Sequence, residues 1–184
     1  MVLAGGTARR LGGVDKPALV VGGVTLLDRA VRAVAGADRI IVVGPETTVS
    51  RPVRWTREDP PGGGPVAALA AGLSSVGEAS EVVLLAADLV GVGDGTVGRL
   101  RRALHQEADA DGAVLVDAGN RPQWLVGVWR TETLRARLPT RPAGAALRAV
   151  LGGLRLVGVP AEPGEADDVD TPEDLARLLG SPHA

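Results

Sequence analysis

The chain contains no cysteine, no phenylalanine and no tyrosine among its 184 residues, and only three tryptophans. Without cysteine there is no disulfide, no thiolate metal centre and no thiol nucleophile. Two histidines, His105 and His183, are too few for a histidine-rich metal cage, and no plausible Ser-His-Asp set is present. No apolar run approaches the ~20 residues that a membrane span requires, so no membrane role is expected. A formal net charge of −2 provides no global field to recruit nucleic acid or an anionic bilayer. The missing Phe and Tyr also remove the stacking surfaces that a nucleic-acid binder uses. Glycine and arginine arrive by residue 10, unlike a signal peptide, and the expectation is a cytoplasmic protein. Lysine is almost absent too: Lys16 is the only one, and the other 19 of the 20 basic residues are arginine.

What is present is aliphatic. Hydrophobic residues make up 45% and charged residues 23%, the balance of a globular protein. The length suits a single domain, 1–184, with a real core. Ala, Val and Leu supply that core, and such small side chains favour close helix-on-sheet layers. Apolar β-branched runs alternate with helical stripes, which is the α/β signature. Strands are predicted at "RIIVV" (Arg39–Val43), "VRW" (Val53–Trp55), "EVVLLAA" (Glu81–Ala87), "GAVLV" (Gly112–Val116), "PQWLVGVW" (Pro122–Trp129) and "LRLVGV" (Leu154–Val159). Helices are predicted over residues 25–36, 65–76, 95–109 and 170–180. In the last, Thr171, Pro172 and Asp174 form a capping pattern. Only Met1–Ala4 precede Gly5, against a mean strand of ~5–6 residues. Either the natural start lies upstream of Met1 or this strand is short.

The stretch after it, "LAGGTARRLGGVDK" (Leu3–Lys16), holds four glycines and three positive charges. A glycine loop following a strand lets backbone N–H groups approach an anion with no side chain in the way. It lacks the Walker frame, because Asp15 precedes Lys16, and it lacks G-x-G-x-x-G, because Gly5 and Gly6 are adjacent. Gly5, Gly6, Arg10, Gly12, Gly13 and Lys16 all fall in this one segment, which points to a phosphate-binding loop rather than a solvated turn. In a chain that uses arginine everywhere else, a sole lysine marks a position that needs a compact ammonium.

L-A-G-G-x-x-x-R-x-G-x-x-x-K resembles the signature of nucleotidyltransferases, and "LAGGTARRLGGVDKPAL" is most similar to the molybdenum cofactor guanylyltransferase family. The resemblance implies a three-layer α/β/α Rossmann-like fold with a mostly parallel central sheet. It also implies transfer of GMP from GTP to the phosphate of molybdopterin, with Mg2+. By the same resemblance Leu3, Ala4, Gly5, Gly6 and Gly12 contact the nucleotide and Lys16 holds the triphosphate, while Arg10 supports either the loop or the outer phosphates. "EDPPGGGPVAAL" resembles the family's acidic residue before G-P-L-x-G, and implies Asp59, Gly64 and Pro65 near the base. Alternatively, Asp59 is a turn residue before Pro60. "LLAADLV" matches a strand ending in a metal-binding aspartate, Asp88, whose plain alternative is a turn or helix cap. "DVDTPEDL" resembles N-V-N-T-P-E-x-L with Asp at 168 and 170. Asp170 is either a second metal ligand or part of a helix cap.

Three departures stand out. The family's Asn after the second strand is replaced by Gly44 and Pro45. No proline follows Asp88 closely. Gln123 and Trp124 occupy a polar-proline position on the acceptor side, where Arg148 also resembles a family position. GTP, molybdopterin and molybdenum cofactor biosynthesis and delivery proteins are the expected partners. The alternatives are a cytidylyltransferase, a guanylyltransferase for a phospho-acid, and a non-catalytic nucleotide-binding homologue.

Overall fold

The computed structural model describes residues 1–5 and 15–167. Their principal sheet has seven strands: β1 (Val2–Leu3), β4 (Ile41–Val43), β5 (Arg54–Thr56), β6 (Glu81–Ala86), β7 (Gly112–Val116), β8 (Pro122–Arg130) and β9 (Leu156–Pro160). They lie in the order β5-β4-β1-β6-β8-β7-β9, and β8 alone runs against the rest. The sheet is therefore mostly parallel. Between its strands run α1 (Leu26–Ala33), α2 (Pro65–Leu73), α3 (Asp94–Gln106), α4 (Thr131–Arg137) and α5 (Leu147–Leu151).

Alternation along each strand divides the apolar side chains between two cores, because successive residues point to opposite faces. Val2, Val42, Leu85, Leu115 and Val128 pack with Leu27 and Val31 of α1 and Leu100 and Leu104 of α3. Leu3, Val43, Leu84, Val114 and Trp129 pack with Leu69 and Leu73 of α2, Leu134 of α4 and Leu151 of α5. This is the expected helix–sheet–helix layering. Trp129 is fully buried. A Cβ placed on Gly112 would stand 2.5 Å from its ring, and one on Gly127 2.8 Å, so two glycines make room for the indole.

Helix α1 begins where Thr25 accepts a hydrogen bond from the Asp28 amide (3.0 Å), as a capping threonine should. Asp28 is buried, accepts from the Ser50 amide (2.7 Å) and pairs with Arg32 (2.9 Å). Burial raises its pKa, but the bonds from Ser50 and Arg32 outweigh that and hold it below the usual carboxylate value. At the sheet's centre the Met1 amine is buried and donates to the Val83 carbonyl (2.7 Å). Burial pushes its pKa down to about 5.

Observed strands fall within two residues of the predicted bounds. Three features were not predicted. A small hairpin, β2 (Val20–Val21) with β3 (Val24–Thr25), turns on Gly22 and Gly23, both at positive φ. Two-residue strands are too short to show a period, although Gly-Gly is itself a hairpin signal. Helices α4 and α5 have no side-chain cap and span 7 and 5 residues, so neither a start signal nor a long stripe marks them. The predicted C-terminal helix, with its Thr171–Asp174 pattern, lies outside the described residues.

Candidate active site

The chain builds outward from β1 to β4 and β5, then returns past β1 to β6 on its other side. In open α/β sheets, ligands bind beyond the carboxyl ends of strands at such a reversal. Ala4 bonds to Val43 (2.8 Å) and Ala87 to Leu3 (3.0 Å), so Ala4 and Ala87 mark the carboxyl ends of β1 and β6. That edge of the sheet is the opening at which a ligand would sit.

Lys16 and Asp88 meet across this opening. Lys16 starts a single 3-10 turn, Lys16–Ala18, with Pro17 fixing its backbone. Asp88 follows β6 by two residues. The Lys16 Nζ lies 3.9 Å from Asp88 Oδ2, with the two side chains 17% and 30% exposed. Both charges are thus partly shielded yet open to a ligand. Leu3 and Ala4 are buried at the end of β1, and Gly5 is exposed at the cleft edge. Gly6, Arg10, Gly12, Gly13, Asp168 and Asp170 lie outside the described residues.

The carboxylate facing Gly5 is Glu58, whereas sequence reasoning named its neighbour. Asp59 is exposed, and Glu58 is 8% exposed. A Cβ built on Gly5 would stand 3.5 Å from Glu58 Oε1 and 3.9 Å from Oε2. Oε1 accepts from the Gly62 amide (3.1 Å), and the buried Oε2 has no hydrogen-bond partner among the described residues. An unmet buried acceptor costs free energy, so a group aimed at the cleft in this state suits a ligand that donates to it. Strand alternation gives no signal for this choice: Glu58 falls in phase with exposed Arg54, and Asp59 in phase with core-packed Trp55, so it is the loop after β5 that turns Glu58 inward.

Gly64 caps α2 at φ 88°, a left-handed conformation that favours glycine, and Pro65 occupies the first turn. Pro65 is exposed and Gly64 half-buried, three to seven positions after Glu58 and Pro61 in the same loop. Trp124 packs partly buried against the second core, so its role here is packing. The Gln123 amide donates to Asp117 Oδ2 (3.4 Å), and Arg148 is exposed on α5.

Residues 1–158 match the MobA-like NTP transferase domain. The chain belongs to that family. Within it, the chain is 40% identical over 97 residues to a probable molybdenum cofactor guanylyltransferase of Synechococcus elongatus, covering 48% of this chain and 49% of that one. It is 33% identical over 138 residues to a molybdenum cofactor guanylyltransferase of Bradyrhizobium sp., covering 70% and 64%. The chain thus matches about half to two-thirds of the length of these curated relatives. The family fold is seen in molybdopterin-guanine dinucleotide biosynthesis protein A of Archaeoglobus fulgidus, with TM-score 0.73 and 19% identity over 97% of this chain and 95% of that one. A 2-C-methyl-D-erythritol 4-phosphate cytidylyltransferase from Thermus thermophilus shares it too, with TM-score 0.69 and 22% identity over 97% and 96%. No helix among the described residues is long and apolar enough to cross a membrane.

The family is one of nucleoside triphosphate transferases, and a divalent cation is the implied cofactor. Among the described residues no three His, Asp or Glu side chains cluster as a metal cage. A lone carboxylate at Asp88 nevertheless suits Mg2+, which takes one or two carboxylates and completes its shell with phosphate oxygens and water.

Proposed function

We propose that the protein transfers the GMP moiety of GTP to the phosphate of molybdopterin and releases pyrophosphate. The observation that carries this reading is the approach of Lys16 to Asp88, 3.9 Å apart where the strand order reverses. An acceptor phosphate has a second pKa near 6 and is ionised at pH ~7. Its oxygen attacks the α-phosphorus directly, a P–O bond forms, and the bond to the β-phosphate breaks. Pyrophosphate carries away the electron pair. No proton is removed in that step, so a chain poor in histidine is adequate. Catalysis then rests on positioning and on neutralising charge.

Lys16 places its ammonium among the phosphate oxygens and offsets charge gathering on the leaving pyrophosphate. Backbone groups of Leu3, Ala4, Gly5, Gly6 and Gly12 cradle the nucleotide, and Arg10 braces the outer phosphates. Asp88, joined by Asp170, would hold Mg2+, which supplies Lewis-acid neutralisation of the phosphate oxygens when bound. Gly64 and Pro65 border the base.

Glu58 takes the base-reading role first assigned to Asp59. Guanine presents N1–H and N2–H2 on one edge, and a carboxylate accepts from both. Cytosine presents one donor group, N4–H2, beside acceptors at N3 and O2 that a carboxylate repels, so two-point acceptance by this residue favours guanine over cytosine. Work in the cytoplasm beside molybdenum cofactor biosynthesis and delivery proteins is the setting this reading implies.

Thermal melting with GTP, CTP and ATP, each with Mg2+, tests the donor. A ligand at about 100 times its Kd adds roughly 2.7 kcal/mol. For a domain of this size that is a rise of about 5–10 °C. GTP is expected to produce it and the other two are not. A CTP or ATP shift equal to that of GTP would overturn the assignment.

A further inference from the structure

Asp88 is the second residue of the loop that joins β6 to α3, residues 87–93. This loop is fastened to the turn after β9, residues 162–167, at three places. The Val90 amide donates to the Asp167 carbonyl (3.4 Å). Gly91 lies against Gly164 so closely that a Cβ on it would stand 2.3 Å from the Gly164 carbonyl oxygen. The third fastening is Glu165, whose side chain is 5% exposed. Its carboxylate accepts from the Thr96 hydroxyl, the Arg99 guanidinium and the Glu162 amide (2.7 Å). Thr96 Oγ1 in turn accepts from the Gly93 amide (3.1 Å), the last residue of the loop. Arg99 also pairs with Glu162 (3.0 Å).

One buried carboxylate therefore gathers the loop's far end, the first turns of α3 and the turn after β9. Helix α3 does not need it for anchorage, because Val97, Leu100 and Leu104 already bury its apolar face. Replacing both partners of a buried ion pair often changes stability little, and removing one costs stability, but either way the geometry the pair imposes is specific. We propose that Glu165 is a positioning residue: it clamps the loop so that the Asp88 carboxylate stays at the cleft opposite Lys16. The proposal rests on the nucleotidyl-transfer reading. Mg2+ demands near-ideal octahedral geometry, so a carboxylate that drifts is a poorer partner. Residues that orient a metal ligand typically change metal affinity or activity by about 10–100-fold when altered.

Glu165→Gln keeps the side chain's shape and removes its charge, and Thr96→Val cuts the link from Gly93. Three measurements are made on each folded variant: Mn2+ affinity in the presence of GTP, from the paramagnetic resonance of free Mn2+; GTP affinity in EDTA; and kcat and KM for transfer. The expected result is Mn2+ binding about tenfold or more weaker and kcat lowered to match, with metal-free GTP affinity and KM for GTP little changed. Unchanged Mn2+ affinity and kcat overturn the proposal. So does an equal loss of metal-free GTP affinity, which marks general disorder of the cleft. If Glu165→Gln does not fold, Thr96→Val decides. If neither folds, the claim that the fold stands without the clamp is refuted. The Mn2+ arm needs no acceptor, so a wild-type protein that binds Mn2+ with GTP yet transfers no GMP refutes the functional reading while still reporting on the clamp.

Discussion

Replacing Glu58 by glutamine should move nucleotide affinity and protein stability in opposite directions. In the structure Oε1 is bonded to Gly62 and Oε2 is buried, unpaired among the described residues and close to Gly5. Glutamine can keep the Gly62 bond through its carbonyl, which turns its NH2 group toward the place where guanine would offer its own donors. A hydrogen bond to a charged group is worth about 1.5–3 kcal/mol. Its loss corresponds to a fall in GTP affinity of roughly 10–150-fold. Without nucleotide, the exchange removes a buried carboxylate oxygen that lacks a partner, so the melting temperature should stay level or rise. Calorimetric titration with GTP, ATP and CTP, alongside a melt of the unliganded protein, reads both quantities. ATP affinity should change far less than GTP affinity, because adenine does not present two donors on that edge. Equal losses for GTP and ATP, or a GTP loss under threefold, would refute the assignment of Glu58 to the base.

Lys16→Ala should lower kcat by about 10²–10³-fold, the usual cost of removing one charge-stabilising donor. Lys16→Arg should recover little of it, and both variants should melt near the wild-type temperature, since a partly exposed pair adds about 0–1 kcal/mol. Near-normal turnover in Lys16→Ala would remove the lysine from the mechanism. Gly112→Ala sets a methyl 2.5 Å from the Trp129 ring and should cost roughly 1–3 kcal/mol by overpacking; an unchanged denaturant midpoint would contradict that packing. Burial raises the pKa of Glu165, but bonds from Arg99, Thr96 and Glu162 prevail and hold it below its usual 4.5. Its unfolded value is the higher one, so its stabilisation is complete above pH ~4.5 and fades as the pH falls through the lower folded value. The melting gap between wild type and Glu165→Gln should therefore narrow from pH 7 to pH 3, and a constant gap would show that this carboxylate is not the cause.

The sheet was readable where burial leaves a simple trace in sequence. The run at Glu81–Ala86 is apolar because β6 is covered on both faces, and Gly112–Val116 is bounded by polar turns. An apolar strand reads the same either way, so the reversed direction of β8 was legible only in the turn-like "DAGN" (Asp117–Asn120) that joins it to β7, where the structure has an antiparallel pair and Asn120 at φ 58°. Lys16 and Asp88 were legible as single residues, one by its rarity and the other by its place after a strand. Their separation of 3.9 Å is a product of topology, since they stand 72 positions apart in sequence. Glu58 was not singled out because two adjacent acids look alike in sequence, and the course of the loop after β5 decides which one is buried beside Gly5. The Glu165 clamp was invisible, because it joins residues 69 positions apart from three separate segments.

The central claim is most directly tested by following both ends of the triphosphate. GTP labelled separately at its α- and γ-phosphates is incubated with phosphorylated pterin acceptor and Mg2+. The account predicts α-label in a new dinucleotide and γ-label in pyrophosphate, with both lost in Lys16→Ala and Asp88→Ala. Label appearing as inorganic phosphate with no dinucleotide formed, or transfer that persists in those two variants, would contradict it.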